Sequence, residues 1–133
     1  MNAGPVSELR IVLTVDDVLA ALSFYRDALG MPVIGDFSGE QGQCFVLDAS
    51  SATIELIDAR QADYIDQAEV GRRIAGPVRL AVAVPDPAAG ADVLAEAGGR
   101  LEAHARLTPW GDVTARVLAP NGMQLTLFAV PEG

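Results

Sequence analysis

Leu9-Arg10-Ile11-Val12-Leu13-Thr14-Val15-Asp16-Asp17 matches Val78-Arg79-Leu80-Ala81-Val82-Ala83-Val84-Pro85-Asp86 position for position, and at the same offset Leu29-Gly30 meets Gly98-Gly99. Ile54-Glu55-Leu56 then meets Leu125-Thr126-Leu127 after a slip of two residues. A long period present only twice describes a duplicated supersecondary module rather than a solenoid, which stacks about three or more short repeats. Whatever the first half folds into, the second half repeats, and Arg10 and Arg79 hold equivalent places in the two copies.

Each half reads as a strand, a helix and three strands. Leu9 to Val15 is apolar and β-branched, Asp16 or Asp17 is placed to cap a helix, and Val18, Leu22, Tyr25 and Leu29 recur at helical spacing until Gly30 stops it. Phe24 and Tyr25 are expected to pack that helix onto the sheet. Short strands follow at Met31 to Phe37, Gln43 to Asp48 and Thr53 to Asp58, separated by Gly- and Ser-containing turns. The second half predicts a strand over Val78 to Val84, a helix from Pro87 to Ala97, and strands at Arg100 to Arg106, Asp112 to Leu118 and Met123 to Val130. Pro87 suits a first helical turn, and Pro120-Asn121-Gly122 marks a tight turn between the last two strands. The result is an α+β chain with module one at about 8–59, a linker at about 60–77 and module two at about 78–130. It is read as one domain over residues 1–133, because neither half is long enough to bury a good core alone. In the polar linker, Tyr64, Ile65 and Val70 could pack a short helix or rest over a cleft.

Half of the 133 residues are hydrophobic, enough for a real core, yet no apolar run approaches the roughly 18 residues of a membrane span. The first residues lack the basic and apolar regions of a signal peptide, so a cytoplasmic location is expected. The net charge is −9, and all the basic residues are arginines. Such a surface repels nucleic acid and anionic membrane and attracts cationic small molecules. Cys44 is the only cysteine. It reads as a small buried residue, since nothing nearby in sequence supplies a base to activate it.

Val15-Asp16-Asp17, the helix end Phe24-Tyr25-Arg26-Asp27-Ala28-Leu29-Gly30-Met31, the strand Ile54-Glu55-Leu56 and the closing Ala119-Pro120-Asn121-Gly122-Met123-Gln124-Leu125 together resemble the vicinal oxygen chelate superfamily. That superfamily includes glyoxalases, bleomycin-resistance proteins and extradiol dioxygenases. The resemblance spans nearly the whole chain and implies tandem βαβββ modules whose curled mixed sheets surround a cleft, usually within a homodimer. It also implies a divalent metal held on the first and last strands of each module by His or Gln with Glu, then His with Glu. Those positions are occupied here by Arg10, Glu55, Arg79 and Thr126. A guanidinium stays protonated and offers no lone pair, and Thr126 offers only a neutral hydroxyl, so neither metal nor other cofactor is expected. His104, the one histidine, is displaced from the pattern.

Two roles are open to the arginines. They could orient a carboxylate, carbonyl or phosphate of a ligand, or Glu55 could lie between them as an ionic plug. Trp110 sits in the turn Thr108-Pro109-Trp110-Gly111, where a large ring needs cover from a pocket or a partner. Arg10, Glu55, Arg79, Trp110, Thr126 and Phe45 are therefore the candidate ligand-binding residues, with Phe37 and Phe128 as weaker ones. The leading expectation is a metal-free protein that sequesters an antibiotic or metabolite, cationic or aromatic, in a cleft. One alternative is a glyoxalase-like lyase, isomerase or dioxygenase using Glu55 as base or an atypical metal site. Another is a structural or partner-binding protein whose cleft is vestigial.

Overall fold

Eight strands form one curled mixed sheet in the order β2-β3-β4-β1-β5-β8-β7-β6. The strands are β1 (Glu8–Thr14), β2 (Val33–Asp36), β3 (Cys44–Asp48), β4 (Thr53–Ile57), β5 (Val78–Ala83), β6 (Arg100–Leu107), β7 (Val113–Leu118) and β8 (Gln124–Ala129). This is a computed structural model, and it describes residues 1–131. Within each module the first strand runs parallel to the last, β1 beside β4 and β5 beside β8. The modules join through an antiparallel pairing of β1 with β5, in which Arg10 lies opposite Ala81 and Arg79 opposite Val12. That register makes the sequence repeat a local twofold and puts both arginines on one face of the sheet, since side chains alternate along a strand.

Helices sort onto the two faces by what the strands offer them. The first helix, α1 (Val18–Leu22), is capped by Asp17, whose carboxylate accepts from the Ala20 N–H. With Val18 and Leu22 it covers the face bearing Leu47 and Leu56. The helical spacing predicted continuation to Leu29, but Ser23–Ala28 is a wider π-helical turn. The extra residue in that turn carries Leu29 off the buried stripe, so it is 60% exposed. Phe24 is likewise mostly exposed, its ring in a T-shaped pair with that of Tyr25, while Tyr25 packs inward as expected. The third helix, α3 (Pro87–Glu96), begins at a proline and lays Ala91 against Ala115, Val117 and Leu127 on the same outer face.

The polar linker holds the second helix, α2 (Ala59–Glu69), which takes the opposite, inner face. Its Ala62 and Ile65 pack on Val12, Cys44, Ile57 and Ala81. Asp58 caps it from the Gln61 N–H and also accepts from the Gln43 N–H. The loop before β3 comes so close that a Cβ at Gly42, where φ is +141°, would stand 2.5 Å from the Asp58 carboxylate. Glycine at that point lets α2 seat over the cleft.

Leu127 is fully buried beneath α3, on the strand whose other face carries Thr126. Leu127→Ala is expected to cost about 2–5 kcal/mol of stability, measured by urea unfolding with an unchanged denaturant dependence.

Candidate functional site

A cavity of about 530 Å³ opens between the inner face of the sheet and α2. On the module-one side its floor is built on β1 and β4. Arg10 donates to Glu8 through Nε at 2.6 Å and Nη2 at 3.4 Å, and to Glu55 Oε1 through Nη1 at 3.2 Å. Its guanidinium also lies 5.0 Å from the centre of the Phe128 ring. Burial pulls the Arg10 pKa down, but the Glu8 hydrogen bond and the charges of Glu55 and Glu8 more than offset it and leave it raised. Glu8 is lowered in turn: burial pushes it up, while hydrogen bonds from Arg10 and Thr53 and the Arg10 charge outweigh that. The Cys44 thiol donates to Glu55 Oε2 at 3.6 Å. Burial, then the Glu55 charge, push that thiol well above its ordinary value, so Cys44 is no nucleophile at neutral pH.

On the module-two side the sheet arginines are tied to α2. Arg79 does not reach Glu55; its Nη1 donates to Asp66 Oδ1 of α2 at 2.6 Å and its Nη2 to the Ala62 carbonyl at 3.4 Å. Of the two roles open to the arginines, the plug of Glu55 between both is not formed: Arg10 alone pairs with Glu55, and α2 supplies the acid for Arg79. Arg116 on β7, fully buried, donates to Asp66 at 3.0 Å, to Glu69 at 2.8 Å, to Gln124 at 3.1 Å and to Thr126 at 3.1 Å. Thr126 passes its own hydrogen to Glu69 at 2.9 Å. Two acids from a helix and two arginines from the sheet thus make a buried clasp, to which Arg73 Nε adds a longer contact with Asp66 Oδ2 at 3.7 Å.

The pKa directions follow from how each member is satisfied. Asp66 would be raised by burial, but the N–H groups of Ala75 and Ile74 and the Arg79 and Arg116 charges hold it below the usual carboxylate range. For Glu69 burial wins over Arg116 and Thr126, and its carboxyl is raised. Burial lowers Arg79, opposed by Asp66 and reinforced by the neighbouring Arg116. Asp66, Glu69 and Arg116 escaped the sequence reading. Ala62, Asp66 and Glu69 do recur at helical spacing, and Arg116 sits in the alternation Thr114-Ala115-Arg116-Val117, so the signal was a polar stripe rather than a motif.

Trp110, Tyr64, Phe37 and Phe128 wall the cavity, with the Trp110 and Tyr64 rings 5.8 Å apart. Arg10, Glu55, Arg79, Trp110 and Thr126 all line it. Phe45 does not: Cys44 faces the cavity, so Phe45, next on the strand, points to the outer face and packs beneath α1. His104 is exposed on β6.

The Glyoxalase/Bleomycin resistance protein/Dioxygenase superfamily model matches residues 9–127. The chain belongs to this superfamily. Among solved structures, a methylmalonyl-CoA epimerase from Mycobacterium tuberculosis is 22% identical with a TM-score of 0.67, covering 99% of this chain and 93% of the other. A hypothetical protein from Bacillus halodurans C-125 gives 16% and 0.68, with 93% and 94% covered. A methylmalonyl-CoA epimerase variant from Streptomyces coelicolor in complex with 2-nitronate-propionyl-CoA gives 18% and 0.64, with 98% and 100% covered. At these identities the likeness is one of fold. A comparison with curated proteins found no match.

The metal positions of the superfamily do not fit a cation here. Two of the four carry guanidinium groups, Thr126 is engaged by Arg116 and Glu69, and Glu55 is engaged by Arg10 and Cys44. Among the described residues no group of three or more His, Cys, Asp or Glu is placed to hold a metal.

Arg116→Met leaves buried Glu69 with no cation and only the Thr126 hydroxyl, and is expected to cost about 3–5 kcal/mol, read from chemical denaturation. The same clasp gives a pH signature. Asp66 has a depressed folded pKa, so its contribution is present above the unfolded value of about 3.9 and is lost as pH falls through the folded one. Stability should drop below about pH 4, and a less steep drop in Asp66→Asn, followed by thermal melts across pH 2–6, would assign it to this carboxylate.

Proposed function

We propose that this protein binds a small organic molecule without a metal, capturing an antibiotic or metabolite in the cavity. The observation that carries this reading is the pairing of guanidinium groups at the superfamily's metal positions with an open, aromatic-walled cavity. A volume of about 530 Å³ falls within the roughly 300–1,000 Å³ of ligand sites. The capture mechanism is stacking of a flat ligand on Trp110, beside Tyr64, above a polar floor. Arg10 remains able to contribute, because three of its five N–H groups face Glu8 and Glu55 and two stay free. Arg79 contributes less, being spent on α2. The volume also weighs against a vestigial cleft, which would need the arginines closed over Glu55. A homodimer is the assembly proposed with this reading, on the family resemblance.

A second reading has its own support in the epimerase neighbours and in Glu55, a carboxylate on the cavity floor beside a guanidinium. In it Glu55 removes a proton next to an acyl carbonyl and Arg10 steadies the resulting oxyanion. Solvent deuterium entering an acyl thioester with wild type but not with Glu55→Gln would select this enzyme; no exchange in either leaves the binder.

Trp110 is the only tryptophan and is 40% exposed at the cavity, so its fluorescence reports occupancy directly. Flat antibiotics should quench it at one equivalent per chain, and Trp110→Ala should weaken binding about tenfold by calorimetry, or ~1.4 kcal/mol. One bound equivalent of Ni, Zn, Fe or Mn in the purified protein would defeat the metal-free reading.

A further inference from the structure

The polar groups of the cavity divide into those spent on the protein and those left over. Cys44, Glu69 and Thr126 hold protein partners, and Arg10 spends three of its five N–H groups on Glu8 and Glu55. Arg79 keeps one unpartnered Nε, but the rest of its guanidinium is fixed under α2. On the β7 wall matters differ. Thr114 is 97% buried by its 3% exposure, lines the cavity, and its hydroxyl has no hydrogen-bond partner. Two residues earlier, Asp112 lines the same cavity, and no cation lies within salt-bridge distance of it among the described residues. Burial leaves its carboxyl above the ordinary range, with Arg10 and Trp110 pulling it back only in part. A buried hydroxyl without a partner is costly, of order 1–3 kcal/mol, and is the kind of group a ligand satisfies.

Charge points the same way. Four carboxylates, Glu40, Glu55, Glu69 and Asp112, line the cavity with two guanidinium groups, Arg10 and Arg79. An anionic ligand would add to that excess, and a cationic one would reduce it. Asp112 immediately precedes β7 and Thr114 is its second residue, and both line the cavity. Trp110 neighbours this pair in sequence and offers a ring for the body of the ligand.

We propose that Asp112 and Thr114 form the recognition anchor of the cavity, holding the protonated amine of an aromatic ligand whose ring lies on Trp110. This rests on the reading of the cavity as a small-molecule site and names the ligand class it selects. Asp112 accepts two hydrogens or one with its charge, and the Thr114 oxygen accepts another, giving the ammonium the acceptors that water would have supplied.

Three probes sharing one ring separate the possibilities: naphthylmethylammonium, naphthylmethanol and naphthylacetate, followed by ligand-observed NMR. The ammonium should bind wild type at least tenfold tighter than the alcohol, with the carboxylate weakest. Asp112→Asn should remove the advantage of the ammonium and leave the alcohol unchanged. Thr114→Val should weaken the ammonium about threefold or more while leaving Tm unchanged or raised, because the hydroxyl it deletes holds nothing in the protein. If all three probes bind alike, or Asp112→Asn leaves the ammonium preference intact, the anchor is wrong while the cavity remains a binding site. A fall in Tm for Thr114→Val would assign the hydroxyl a structural partner and overturn its place in the anchor. If none of the probes binds wild type, the reading of the cavity itself fails.

Discussion

The clasp between α2 and module two decides how the rest of the molecule is used. Asp66 takes Arg79, Arg116 and two backbone N–H groups, while Glu69 takes Arg116 and Thr126. Such buried ion pairs give little net stability against an apolar alternative, because desolvation consumes most of the Coulombic gain. What they give is geometry. An apolar helix face could slide over the sheet, but a guanidinium held by several oriented acceptors cannot, so α2 is fixed in one place. Once α2 is fixed, the position of Tyr64 and the size of the cavity beside it follow.

The same arginines show how the superfamily's fold is kept with guanidinium groups standing in its module-two corner. A cation-binding corner is a place where carboxylates converge in a low dielectric and need positive charge. Arg116 supplies that charge permanently, and the acids it meets come from α2 rather than from the strands. Thr126 changes from a would-be ligand into a relay, accepting from Arg116 and donating to Glu69.

Much of the fold was legible because strand and helix periods are local properties. The predicted strand ends agree with the structure to within about two residues, and the repeat gave Arg10 and Arg79 equivalent places, which the β1–β5 register turns into one shared sheet face. The site was legible only where backbone parity determines it. Cys44 and Phe45 are neighbours on a strand, so only one of them could face the cavity, and it is the smaller. Arg79's partner was not legible, because a long flexible side chain reaches past its register neighbours and the acid it finds lies on a helix within a segment that read as a linker. Asp112 and Thr114 were silent for another reason. Nothing in a sequence distinguishes a polar group with a partner from one without.

Duplication builds two equivalent corners, and one linker cannot serve both. Glu55 in module one corresponds to Thr126 in module two, and their cross-strand neighbours Val46 and Arg116 correspond as well. A single connection must cross from β4 to β5, and a helix placed there covers one corner more than the other. Here it brings its acids to the module-two corner, where Arg116 stands, and lies past the module-one corner, where the equivalent residue is the apolar Val46. The symmetry is therefore broken by topology first and by side chains second. The module-two corner anchors α2, and the cavity lies between that clasp and the Arg10–Glu55 corner, lined from both modules.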